Sequence, residues 1–202
     1  MLIGLDFDNT LARYDKAFSV AARDMGLGIG DGDRTKEEIK KLAKRSAGGE
    51  EAWQRLQGRV YGYYMARAEL FPGVAAFVRR VREAGNGLVI VSHKSEYGHF
   101  DQDRINLRTA ALAWMRTHEF FGDAGLGFLE EDIHFASTRE DKLAMIGRCG
   151  CGLFVDDLPE VLLDAAFPAA TRRLLFAPNG DAEGTGLPHF ISWDALAETL
   201  VP

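Results

Sequence analysis

The sequence predicts an α/β protein, a parallel sheet with helices over both faces, and three observations predict it. Apolar runs of strand length recur along the chain, amphipathic helical stretches alternate with them, and three of the runs stop at a serine or at aspartates. Strands are placed at residues 2–7, 88–92, 132–135, 153–156 and 173–177, and helices at 74–84, 103–120, 139–147 and 159–166. In the first of these helices Val74, Phe77, Val78 and Val81 recur at helical spacing; Pro72-Gly73 opens it and Gly85 stops it. Pro159 falls in a first turn, where the missing N–H would have had no helical partner. Beyond the last strand, Pro178-Asn179-Gly180 make a turn, a glycine-rich loop runs to Pro188, and a short helix starts at Ser192.

Residues 16–70 have a different texture. They lack a convincing strand and read as helices at 16–25, 35–45 and 51–70, with residues 26–32 as a loop. Thr35 and Glu38 have the spacing of a capping box, in which each side chain satisfies a backbone N–H of the other. Trp53, Leu56, Val60 and Tyr64 recur as a packing face. Asp31-Gly32-Asp33 reads as a turn, because the calcium-loop pattern does not continue after it.

Composition narrows the function classes. Hydrophobic content of 47% and charged content of 27% suit a soluble globular protein, and 202 residues suffice for one core with a small insertion or for two small domains. The net charge of −6 argues against a nucleic-acid backbone as partner, since such sites need clustered positive charge. No apolar run approaches membrane-spanning length and no basic-then-apolar leader precedes the first strand, so a cytoplasmic protein off the membrane is expected. Cys149 and Cys151 are too close in sequence for an unstrained disulfide and too few for a structural zinc site; burial beside a strand is expected instead.

The chemistry concentrates at strand ends. Asp6 and Asp8 share a face if the opening strand stays extended, before the chain turns at Asn9-Thr10. Two like charges so close need a cation or a shared proton. Ser92 ends a strand, Asp156-Asp157 end another, and Lys142 lies in the first turn of a helix, where the dipole disfavours a cation. A locally costly lysine suggests a local use.

Asp6, Asp8 and Thr10 in DxDxT spacing, then Ser92, Lys142 and Asp156-Asp157, resemble in order the four motifs of the haloacid dehalogenase-like phosphohydrolase superfamily, over residues 1–15 and 71–177. The resemblance implies a three-layer Rossmann-like parallel-sheet core of residues 1–15 and 71–202, with a small all-helical cap at 16–70. It implies that the first and fourth motifs converge outside the strand ends, where open sheets bind ligands. Asp6 is then the nucleophile, forming an aspartyl-phosphate, and Asp8 the acid and base. Thr10 fixes the turn; Ser92, with His93 in support, and Lys142 hold the phosphate. Mg²⁺ suits the acids, through the Asp6 carboxylate, the Asp8 carbonyl and one of Asp156 or Asp157, the other acting through water. The expected activity is a magnesium-dependent phosphatase for a small phosphorylated metabolite, a sugar phosphate or a nucleotide; the alternatives are a phosphomutase and a non-enzymatic phospho-acceptor module. A dehalogenase is disfavoured by Asp8, since no oxygen leaving group there needs a proton. Oligomeric state is open.

Weaker candidates are Lys94 and His99, read at least equally as solvated loop positions, Arg13 and Tyr14 near the first turn, and Arg59, Tyr61 and Tyr63 in the insertion. Lys36, Lys40, Lys41, Lys44 and Arg45 read as a solvated basic helix face, with Glu37 and Lys41 as an i, i+4 pair. His118, His134 and His189 suggest no metal site.

Overall fold

A computed structural model describes residues 1–30, 32, 34–180 and 182–200; Asp31 and Asp33 of the expected turn lie outside the described residues. The elements run β1 (Leu2–Leu5), β2 (Ala12–Arg13), α1 (Asp15–Asp24), α2 (Lys36–Arg45), α3 (Gly49–Tyr61), β3 (Glu69–Leu70), α4 (Val74–Glu83), β4 (Gly87–His93), α5 (Leu107–Thr117), β5 (Ile133–Ala136), α6 (Arg139–Cys149), β6 (Leu153–Asp156), α7 (Pro159–Leu162), β7 (Arg172–Phe176), β8 (His189–Phe190) and α8 (Trp193–Leu200). Single 3₁₀ turns occupy Met65–Arg67 and Glu130–Asp132.

The chain divides into two compact units. The first comprises Met1–Leu11, Leu70–Lys94 and Glu119–Pro202; the second comprises Ala12–Glu69 and Ser95–His118. α5, which lies in the stretch 71–202 that the resemblance assigns to the core, falls in the second unit.

The first unit is built on six strands in the order β5-β4-β1-β6-β7-β8, each paired parallel to its neighbour, so the α/β three-layer architecture read from the sequence is the observed one. Alternation along the strands covers both faces. Val89, Val91, Phe154 and Leu175 pack with Leu143 and Ile146 of α6 and Val161 and Leu162 of α7. Phe176, one residue on and so on the opposite face, stacks near Trp193 of α8 at 5.4 Å, and Phe77 of α4 meets the same indole at 4.8 Å. Gly4 permits the central strand to sit where it does: a Cβ there would lie 2.5 Å from the Phe154 ring and 2.8 Å from Cys151 Sγ. Cys149 and Cys151 are free thiols, and Cys151 is buried beside β6.

The second unit is helical around an aromatic core. Phe18 of α1 stacks on Trp53 of α3 at 5.3 Å, while Tyr14 meets Tyr61 edge-on at 4.9 Å. The capping box forms: Thr35 accepts from Glu38 N, and the Glu38 carboxylate accepts from Thr35 N at 2.9 Å. Trp53, Leu56, Val60 and Tyr64 are all buried. The helix expected over residues 51–70 stops at Tyr61, where Gly62 leaves helical geometry, and the chain continues through the 3₁₀ turn at Met65–Arg67 into β3. The two-residue strands β2 and β3 pair in a small separate sheet, a correction to the strandless reading of this segment. Glu37 pairs with Lys40 at 3.6 Å, one residue short of the expected Lys41. Trp114 Nε1 of α5 donates to Ala68 O at 2.9 Å, one reason why this helix groups here.

Candidate active site

Register places the functional residues. β1 lies between β4 and β6, with Leu5 opposite Ile90 on one side and Val155 on the other. Asp6, Ser92 and Asp156 therefore emerge together at the carboxyl ends of three adjacent parallel strands, at the point where the strand order reverses. Asp6 N donates to Val155 O at 2.9 Å, carrying the ladder one residue past the strand. The chain then turns, with Asn9 at φ 60°, a left-handed conformation that asparagine tolerates better than most residues, and with Leu11 N bonded to Phe7 O.

Lys142 is the hub of the acidic cluster. It is reached from α6, whose N-cap Thr138 accepts from Asp141 N at 3.1 Å. Its buried ammonium donates to Asp6 Oδ1 and to Asp156 Oδ2, both at 2.6 Å. Thr10 Oγ1 donates to Asp6 Oδ2 at 3.3 Å and lies 3.4 Å from Asp157 Oδ1. Asp156 Oδ1 accepts from Leu158 N at 3.0 Å, which fixes the turn after β6. Ser92 is buried, and its hydroxyl has no hydrogen-bond partner among the described residues. Such an atom is costly unless a ligand completes it.

Electrostatics follow from the crowding. Burial pushes the Asp6 carboxyl up to about 7; Lys142 pulls the other way, and the neighbouring Asp156 and Asp8 add to the rise. Burial disfavours the charge on Lys142 as well, but Asp6 and Asp156 outweigh it and hold the ammonium protonated, above the usual lysine value. Carboxylate oxygens of Asp6, Asp156 and Asp157 lie within 4.8 Å of one another, a set of hard oxygen donors that could hold a divalent cation.

Of the residues named from the sequence, Asp6, Thr10, Lys142, Asp156 and Asp157 are brought together. The Asp8 carboxylate is not in the acidic cluster: both of its oxygens face Lys94 Nζ, at 2.8 and 3.0 Å. His93 is exposed, its Nε2 3.2 Å from Ser137 O. The solvated reading of Lys94 is overturned, for its side chain is 2% exposed. A signal existed for it. Ser92 and Lys94 are two apart, and the backbone stays laddered through Lys94 N to Ala136 O at 2.9 Å, so both point to the same face. The remaining candidates lie in the helical unit: Arg59 pairs with Asp103 at 2.6 Å, Arg13 with Asp15 at 2.9 Å, His99 is exposed, and Tyr14 and Tyr61 pack against each other. No helix among the described residues is long and apolar enough to cross a membrane.

No family model matches the chain, and no curated protein sequence matches it. Solved structures do. A haloacid dehalogenase-family hydrolase from Deinococcus radiodurans, with bound phosphate and sodium, aligns at TM-score 0.57 and 17% identity over 100% of this chain and 97% of its own. A protein tyrosine kinase A from Mycobacterium tuberculosis aligns at 0.60 and 20% identity, covering 98% and 96%. A predicted phosphoglycolate phosphatase from Haemophilus somnus aligns at 0.53 and 18%, covering 98% and 97%. With the acid-tipped strands side by side and solved hydrolases matched end to end, the chain has the fold of the haloacid dehalogenase-like hydrolases.

Proposed function

We propose that this protein is a magnesium-dependent phosphatase that hydrolyses a small phosphomonoester through an aspartyl-phosphate on Asp6. The observation that carries the reading is the buried Asp6 carboxylate, braced by Lys142 at 2.6 Å within a cluster of acids, with Ser92, whose hydroxyl has no hydrogen-bond partner among the described residues, near the end of the adjacent strand. The charge balance of the cation cluster agrees: Asp6, Asp156 and Asp157, when ionised, exceed Lys142 by two negative charges, which a divalent cation offsets. Asp6, Asp156 and Asp157 would hold Mg²⁺, which when bound neutralises phosphoryl charge and aligns the group for transfer.

The chain's own residues supply the rest. Lys142 holds Asp6 Oδ1 and Thr10 orients Oδ2, which keeps a lone pair to attack phosphorus as the bond from phosphorus to the leaving oxygen breaks. Asp8 gives its proton to that oxygen, then takes one from the water that cleaves the acyl phosphate, releasing phosphate and restoring Asp6. Ser92 donates to a phosphoryl oxygen. The unit formed by Ala12–Glu69 and Ser95–His118 is read as the cap that selects the substrate, a sugar phosphate or a nucleotide. A fold alone does not choose the acceptor of a phosphoryl group, so the reading rests on Asp6 and its partners. A panel of phosphomonoesters assayed for released phosphate with Mg²⁺ tests it. Turnover that disappears in Asp6→Asn is expected; no release from any ester by the parent protein overturns it.

A further inference from the structure

Two buried lysines divide the acids of the site. Lys142 binds Asp6 and Asp156, which belong to the cation cluster; Lys94 binds Asp8, which lies outside it. Lys94 is anchored for this purpose. Its backbone is bonded to Ala136 O, its side chain is 2% exposed, and its ammonium sits 5.6 Å over the Phe7 ring while contacting both Asp8 oxygens. Asp8 stands on a turn only two residues from Asp6. An unopposed carboxylate there would be drawn to a divalent ion, because attraction between charges in a poorly hydrated site is several times that in water.

We propose that Lys94 is a positioning residue that holds the Asp8 carboxylate out of the Asp6, Asp156 and Asp157 cation cluster, and so keeps it available for proton transfer. The role rests on the phosphatase reading for its purpose, and on the observed pairing for its geometry. Lys94 follows the end of β4 and its backbone is bonded to β5, so its ammonium approaches Asp8 from the sheet and not from the turn that carries Asp8. It withholds a fourth carboxylate from the metal.

Calorimetric titration with Mn²⁺ tests the geometry directly on the parent, Lys94→Met, Asp8→Asn and the double variant, which removes both charges together. Lys94→Met is expected to bind Mn²⁺ about three- to tenfold tighter than the parent, while the same change in the Asp8→Asn background shifts affinity less than about twofold, the signature of an effect carried through Asp8. Lys94→Gln takes the place of the methionine variant if that chain does not fold. Equal tightening in both backgrounds, which mere loss of a nearby positive charge would produce, overturns the proposal; so does no tightening. Single-turnover phenol release gives the chemical readout. Lys94→Met should lose about a hundredfold on phenyl phosphate and under about tenfold on p-nitrophenyl phosphate, whose leaving group needs no proton. Equal losses on the two esters overturn the role. A parent protein that releases phenol from neither ester overturns the phosphatase reading, and the metal titration still decides where Lys94 holds Asp8.

Discussion

At the scale of single residues, the site is a balance between burial and pairing, and two consequences can be measured. Asp6 carries a carboxyl raised from 3.8 to about 7, so the folded chain binds this proton more tightly than the unfolded chain does. The stabilisation is full below pH ~4 and is lost as pH rises through about 7, a loss of a few kcal/mol. The metal-free protein should therefore melt at progressively lower temperature from pH 4 to 8. Asp6→Asn should flatten that slope, and a slope unchanged by the substitution would refute the assignment. The second consequence concerns Cys151. Burial, with Cys149 close by, pushes its thiol up to about 12, some three units above its ordinary value, which lowers the thiolate population about a thousandfold. Labelling with a disulfide reagent at pH 8 should leave Cys151 unmodified in the native chain and modify it once the chain is unfolded; rapid native labelling would contradict its burial.

At the scale of elements, features decided within a few residues were the most legible, though not all of them: the Glu37 partner is Lys40 rather than Lys41. The Thr35–Glu38 box is decided within four residues and is present, and at the start of α6, where Ser137 and Thr138 both suit a cap, the structure uses Thr138. Thr35→Ala should cost about 1 kcal/mol in urea unfolding. The end of α3 at Tyr61 was missed because Gly62 looks tolerable within a long amphipathic stretch; the departure is made at a glycine and held by the chain's continuation through β3. Strands of two residues, β2, β3 and β8, carry too little periodicity to be seen before their partners are known. Gly4 is the reverse case, a residue whose reason is entirely tertiary. Gly4→Ala would drive a methyl into the Phe154 ring and Cys151, and should destabilise the chain by about 1–3 kcal/mol on the same assay. A neutral effect would mean that the β1–β6 contact is looser than the register implies.

At the scale of the whole molecule, the unit boundaries carry the lesson. Leu107, Ala111, Trp114 and Met115 of α5 are buried within the helical unit, although α5 follows β4 in sequence as a crossover helix would. Joining Leu11 directly to Leu70 removes residues 12–69 at a point where Phe71 N already bonds Leu11 O. Such a chain should aggregate on size-exclusion chromatography, because α5 keeps its apolar face and loses its cover; replacing residues 95–118 with a short glycine linker as well should restore a monodisperse species. A soluble first variant would show that α5 finds cover on the sheet.

The strands that end in acids, the placement of Ser92 and Lys142 at element ends, and the Thr35–Glu38 box are legible in the sequence itself, because each depends on alternation, spacing or a turn within a few residues; that the acid-tipped strands lie side by side was implied by the resemblance and is set by the sheet register. Only the tertiary structure decided that Lys94 is spent on Asp8 and that residues 95–118 join the helical unit. A buried ion pair and a covered helix face are set by whatever the fold brings from elsewhere in the chain, and burial turns that arrival into the controlling energy.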